Sequence, residues 1–93
     1  MTLAAFGLIR DPEGKILLLH RVSQDLWNLP GGRVEDAESP WDGIVREIVE
    51  ETGLQATVRR LAGVYHKPEQ AELSFFFECD VTGGTLLKSN WCA

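Results

Sequence analysis

The sequence predicts an α+β domain in which a mixed β-sheet carries one helix against a face. Apolar runs with strand character stand on both sides of a single amphipathic segment, and clear turn signals separate those runs. Start and stop signals for a helix bracket the amphipathic segment at Ser39 and Gly53.

In chain order, Leu3 to Ile9 and Lys15 to His20 are apolar runs joined by Asp11-Pro12-Glu13-Gly14, a turn-forming sequence that predicts a hairpin. Trp27-Asn28-Leu29 predicts a short strand ended by Pro30. Gly31 and Gly32 then allow a tight backbone that can approach a ligand closely. Ser39 suits the N-cap, because its hydroxyl can accept a backbone N–H one turn on, and Pro40 suits the first helical position, where no donor is needed. Asp42 favours the positive end of the helix dipole, and Gly53 supplies a left-handed stop. Beyond the helix, Gln55 to Val64 and Leu73 to Val81 predict a second strand pair, separated by a polar loop from Tyr65 to Glu72 that contains Pro68.

At about 100° per residue, Trp41, Ile44, Val45, Ile48, Val49 and Thr52 share one arc of this helix, and Glu47, Glu50 and Glu51 share the opposite one. One face is expected to pack and the other to present oxygens. The three carboxylates are related by steps of three, four and one, so their tips can converge. Glu47 and Glu51 repel each other by a few tenths of a kcal/mol in an isolated helix, and a hard dication removes that repulsion. Mg²⁺ or Mn²⁺, which favours carboxylate and water oxygens, is the expected ligand. Arg46 stands four residues before Glu50 and beside Glu47, where its planar fork can fix a carboxylate. An acidic run on a helix is by itself usually a solvated face. Here Gly31, Gly32, Glu38 and Arg46 stand in register with it, which turns the reading towards a site.

The 93 residues, 44% apolar and 25% charged, describe one globular domain over 1–93, neither disordered nor stapled by disulfides. No apolar run reaches the length of a membrane span and no signal peptide is visible, so a cytoplasmic location is expected. Cys79 and Cys92 lack metal-type spacing; Cys79 is read as packing and Cys92 as a terminal thiol. A net charge of −5 weighs against an extended nucleic-acid surface, which needs clustered cations. Anionic small molecules are still reachable through a bridging metal, with Arg21, Arg33 or Lys67 contributing locally. Arg21, at a strand end facing the glycine turn, is the preferred phosphate contact. Tyr65 and Trp27 are read as packing residues with base stacking as the alternative, and His20 and His66 as ordinary strand or loop residues.

The spacing from Gly32 to Leu54, with Glu38, Arg46-Glu47-Ile48, Glu50-Glu51 and Gly53-Leu54 at fixed distances, resembles the signature of the Nudix (MutT-like) hydrolases. Nine constrained positions fall in one register, a demanding match for chance. The resemblance extends over most of the chain and implies an α/β/α sandwich around a mixed sheet. It implies hydrolysis of a nucleoside diphosphate linked to another group, such as a nucleoside triphosphate, ADP-ribose or another nucleotide sugar. By matching position, Glu47, Glu50 and Glu51 would be metal ligands, with Glu47 also the candidate base. Gly31 would offer its carbonyl to the metal, and Gly32, Glu38, Arg46 and Gly53 would shape and brace the loop and helix. Pro68, 15 residues beyond Gly53, is placed as in ADP-ribose-cleaving members.

Ala37 stands where the family often has glycine, and Gly43 where a helix former is usual. The family also normally continues for several dozen residues with another strand and a helix. Gly83-Gly84-Thr85-Leu86-Leu87 is read as the start of that strand, so the expectation is a domain lacking its C-terminal part, dimeric or marginally stable through an open sheet edge. Two functional classes follow: a Mg²⁺- or Mn²⁺-dependent pyrophosphohydrolase, and a non-catalytic nucleotide-binding or interaction module.

Overall fold

The computed structural model describes the backbone of residues 1–21, 25–87 and 90–92, and the side chains of 1–20 and 25–87. Its elements run β1 (Thr2–Ile9), β2 (Ile16–Arg21), β3 (Leu26–Asn28), β4 (Gly31–Arg33), α1 (Pro40–Thr52), β5 (Leu54–Lys67), a 3₁₀ turn (Pro68–Gln70), β6 (Glu72–Gly84) and β7 (Asn90–Cys92). A four-stranded sheet has the order β4-β1-β6-β5. It is mixed, because β1 runs parallel to β6 while β4 and β5 lie antiparallel to their neighbours. A second, antiparallel sheet has the order β3-β2-β7.

The predicted turn at Asp11 forms: Asp11 Oδ1 accepts the backbone N–H of Glu13 and of Lys15, each at 2.9 Å. The hairpin predicted around it does not. β1 and β2 meet at the single bridge Arg10↔Ile16 and then enter different sheets. The reason is that both edges of β1 are taken, one by β4 and the other by β6. The second predicted pair is an antiparallel hairpin, longer than expected: Tyr65, His66 and Lys67 are paired to Ser74, Leu73 and Glu72, not looped out. Pro68 opens the short turn that joins the two strands. The strand expected to begin at Gly83 also differs, since Gly83 and Gly84 end β6 and the next strand is β7, paired to β2.

Helix α1 has the predicted ends. Ser39 Oγ accepts the Asp42 N–H at 3.1 Å, and Gly53, at φ 81°, donates its N–H to the Val49 carbonyl. The helix presses on β1, where a Cβ at Gly7 would come within 3.2 Å of Ile48 and 3.3 Å of Ile44. Ala5, Ile9, Leu17, Ile44 and Ile48 are fully buried and join Phe77 and Cys79 in one core. Each buried Ile or Leu contributes about 1.5–3 kcal/mol. Thr52 is buried as well, donating to the Ile48 carbonyl and accepting from Leu54 N–H, which lets β5 start at once.

The packing arc is narrower than its periodicity implies. Trp41 and Val49 are 57% and 45% exposed, and Gly43 is buried instead. A sheet covers only the strip of a helix that faces it, and among the described residues no layer lies over the Trp41–Val49 flank. The described residues contain one α-helix, so the second helical layer of an α/β/α sandwich is not among them. On the sheet face away from α1, Phe6 stacks on Phe76 (5.3 Å between centroids) and Tyr65 meets Phe76 edge-on.

Candidate active site

The acidic flank of α1 is organised by one guanidinium. Arg46 grips Glu38 with two bonds, Nε to Oε2 at 2.8 Å and Nη2 to Oε1 at 3.1 Å. Its Nη1 donates to Glu47 Oε1 and to Glu50 Oε1, both at 3.0 Å, and Nη2 reaches the Arg33 carbonyl at 3.3 Å. Glu35 adds a looser ion pair at 3.5 Å. Glu38 Oε1 also accepts the Glu35 N–H at 3.0 Å, so this carboxylate ties the approach loop to the helix. The bond from Arg46 holds the Glu38 carboxyl below its ordinary range, and Glu38 in turn is the main cause of a strongly raised Arg46 pKa. A fork held this way keeps its charge at any working pH.

Glu51 accepts the Gly31 N–H at 2.7 Å. Among the described residues no three His, Cys, Asp or Glu side chains form a metal-holding group. Arg46 donates to both Glu47 and Glu50, and the Gly31 amide donates to Glu51.

The donor set still fits a hard dication. Glu47 Oε1 and Glu50 Oε1 both accept from Arg46 Nη1, so the two carboxylates face one volume and offer the hard oxygens that such an ion takes. Gly32 keeps the space open, because a Cβ there would come within 3.2 Å of Glu47 Oε2. Gly31 has a different reason to lack a side chain. At φ 145° its Cβ would lie 2.1 Å from the Ala5 carbonyl oxygen, so β4 could not pair with β1. The glycines thus belong to a strand, not to the tight turn read for them. Ala37 takes φ 66°, the left-handed conformation that a glycine adopts more easily.

Two clefts open between the sheets, and one of them reaches this flank at Glu51. One, of about 500 Å³, has Glu51 and Gly31 at one end and Phe6, Leu19, His20 and Asn28 among its walls. The other, of about 350 Å³, shares Phe6, Asn28 and Leu29 with the first and continues to Leu18, Trp27, Phe76 and Lys67. Arg33 lines neither. It borders a separate cavity with Glu35, Asp36 and Glu38, and its charge acts on Glu72. The side chain of Arg21, the preferred phosphate contact, lies outside the described residues, as does that of Cys92. Cys79 is buried as read, with its thiol pushed up to about 11 by desolvation and by Asp80.

Sequence reasoning missed His20 and the Phe6–Phe76 pair. His20 stacks on Trp27 at 4.3 Å between centroids and bonds to Asp25 at 2.9 Å. The signal lay in the strand register, which sets His20 opposite Trp27 and cannot be read before the pairing is known. Trp27, read as a packing residue, is 43% exposed on a cleft wall.

A mixed sheet, a capped helix with a carboxylate flank and a glycine-lined strand under it define a protein of the Nudix class. The NUDIX domain matches residues 1–90, and the chain belongs to that family. It is 41% identical over 83 residues to a Bacillus subtilis protein named "Putative 8-oxo-dGTP diphosphatase", covering 89% of this chain and 56% of that protein. It is 41% identical over 90 residues to an ADP-ribose pyrophosphatase of Methanocaldococcus jannaschii, covering 89% and 53%. Among solved structures, an ADP-ribose pyrophosphatase from Streptococcus suis superposes with a TM-score of 0.87 at 27% identity, covering 99% of this chain and 73% of that one. The chain spans about half the length of the curated relatives it matches. Among the described residues no helix is long and apolar enough to cross a membrane.

Proposed function

We propose that this chain is a divalent-cation-dependent hydrolase that cleaves a phosphorus anhydride in a nucleoside diphosphate linked to another group. The observation that carries this reading is the single Arg46 fork that fixes Glu38, Glu47 and Glu50 beside a cleft ending at Glu51 and Gly31. Glu47, Glu50 and Glu51 would hold Mg²⁺ or Mn²⁺, with the Gly31 carbonyl as a further ligand. Such an ion supplies charge neutralisation at phosphate oxygens and a water of lowered pKa.

The chain's own groups do the rest. Arg46 aligns Glu47 and Glu50 while Glu38 restrains Arg46 from the other side. The Gly31 N–H fixes one Glu51 oxygen and so ties the end of this flank to β4. Glu47 takes the proton from the attacking water as the phosphorus–oxygen bond to the leaving group breaks. The leaving group is a phosphate or a nucleotide. The names of the relatives, 8-oxo-dGTP diphosphatase and ADP-ribose pyrophosphatase, support a nucleotide substrate of this kind.

The purified chain with Mg²⁺ and a nucleotide panel, read by release of phosphate, pyrophosphate or nucleoside monophosphate, tests the reading. Turnover is expected to stop in excess chelator and to fall roughly 10²–10⁴-fold in Glu47→Gln. Turnover that survives both would overturn it. Nucleotide binding without turnover by the unaltered chain would favour the non-catalytic module.

A further inference from the structure

Strand β5 forms one edge of the four-stranded sheet, and among the described residues no strand pairs with its outer side. Its fourteen residues include Arg59, Arg60, His66 and Lys67 and no Asp or Glu, in a chain whose net charge is −5. Between those cations Leu61, Val64 and Tyr65 are exposed. Cationic ends and an apolar middle thus share one open edge.

The charge is not spent within the fold. Glu78 on β6 is shared by Arg10 and Arg60, two guanidiniums on one carboxylate. Lys67 reaches Glu72 at 3.3 Å, and the charge of Arg33 acts on that same carboxyl. Arg59 is exposed and has no carboxylate partner among the described residues. The register gives the reason. Val58 pairs with Cys79 and Arg60 with Glu78, so Arg59 is the extra residue of a bulge and has nothing opposite it on β6. Ala62 is a second such residue, and from Gly63 to Lys67 the pairing with β6 runs unbroken. Bulges limit how far a new strand can follow an edge, and here they leave an unbroken run beside a cationic pair.

We propose that the β5 edge from Arg59 to Lys67 takes an extended segment of another protein as an added strand, one with apolar residues at its centre and carboxylates at its ends. An open edge is completed by another backbone, and the side chains along it choose which backbone. Opposite charges across two strands favour pairing, and like charges oppose it. A second copy of this chain is therefore the poorer partner, because β5 against β5 would set Arg59, Arg60 and Lys67 of both copies along one seam with no acid from either strand. Such self-pairing needs high concentration, whereas an acid-ended strand removes the repulsion. A lipid surface or a nucleic acid has no peptide backbone to offer this edge, and the net charge of −5 opposes an anionic surface of either kind.

Two peptides of about nine residues, the span of this edge, test the proposal. One has a pair of glutamates at each end with valine and threonine alternating between them, and the other has lysines in place of the glutamates. Fluorescence anisotropy, at protein concentrations where the chain is monomeric, should show the glutamate peptide binding roughly tenfold or more tightly than the lysine peptide, with the preference shrinking as salt rises. N-methylation of every central amide, which removes the donors of both peptide edges, should abolish binding. Arg59→Glu should weaken the glutamate peptide several-fold and strengthen the lysine peptide, and Arg59→Lys should keep the original order. Circular dichroism of both variants checks that the fold is retained. Equal binding of the two peptides, binding that survives N-methylation, or an order unmoved by Arg59→Glu overturns the inference. Binding of neither peptide does so as well, including the case in which the chain takes only a second copy, phosphatidylserine vesicles or a thymidine oligonucleotide. Hydrolysis plays no part in these measurements, so their outcome is independent of the hydrolase reading.

Discussion

Gly31 donates its backbone N–H to Glu51 Oε1 at 2.7 Å, joining β4 to the last turn of α1 across 20 residues of sequence. The bond exists because β4 lies flat against β1, and β4 lies flat because Gly31 has no side chain to strike the Ala5 carbonyl. A turn-forming dipeptide in the sequence is therefore a packing requirement in the fold.

Gly31→Ala tests that requirement. The new methyl overlaps backbone on β1 and the residue keeps a φ that L side chains rarely adopt. A loss of at least about 2 kcal/mol is expected in urea unfolding, with activity falling as well because β4 shifts away from Glu51. An unchanged midpoint would show that β4 can shift freely.

The Glu38–Arg46 clamp gives a pH dependence. The Glu38 carboxyl is lowered in the folded chain by its bond from Arg46, so its contribution is complete above the ordinary glutamate value of about 4.3 and is lost as pH falls through the lower folded value. Glu38→Gln should thus be less stable than the unaltered chain at pH 7, with the gap closing in acid below about pH 4. Glu72 and Glu78 shift the same way and remain in both proteins, so the difference isolates Glu38. A gap independent of pH would remove the electrostatic account.

Gly43→Ala separates local from tertiary effects. Helix propensity alone predicts a gain of up to about 1 kcal/mol. In the fold a Cβ at Gly43 would stand 3.0 Å from Glu38 Oε1, an oxygen already bonded to Arg46 and to the Glu35 N–H. The expected outcome is little or no gain in thermal stability and a lower activity as the clamp shifts. The full gain with unchanged kcat/KM would contradict this.

Strand β5 gives the fourth case. It is the edge of its sheet among the described residues, and Leu61, Val64 and Tyr65 on it are 50%, 46% and 66% exposed. An apolar, unpaired edge favours pairing with another chain, and lysine there blocks it. We expect sedimentation to show a concentration-dependent dimer that Leu61→Lys with Val64→Lys converts to monomer. A monomer at all concentrations without the substitutions would refute self-association.

The sequence by itself determined the helix and the placement of its carboxylates. Caps, a proline at the first position, a left-handed glycine stop and the i, i+3, i+4 placement of carboxylates are local rules, and each was legible at Ser39, Pro40, Gly53 and Glu47 to Glu51. The tertiary structure alone decided which edges β1 would offer. With β4 and β6 on both sides of it, the Asp11 turn leads to a second sheet, and the space between the sheets becomes the aromatic cleft. It also decided that Arg46 would divide itself among Glu38, Glu47 and Glu50, that Arg33 would face away, and that His20 would meet Trp27. Strand pairing depends on contacts between residues far apart in the chain, and alternation within a strand tells which residues share a face but not which strand lies beside it.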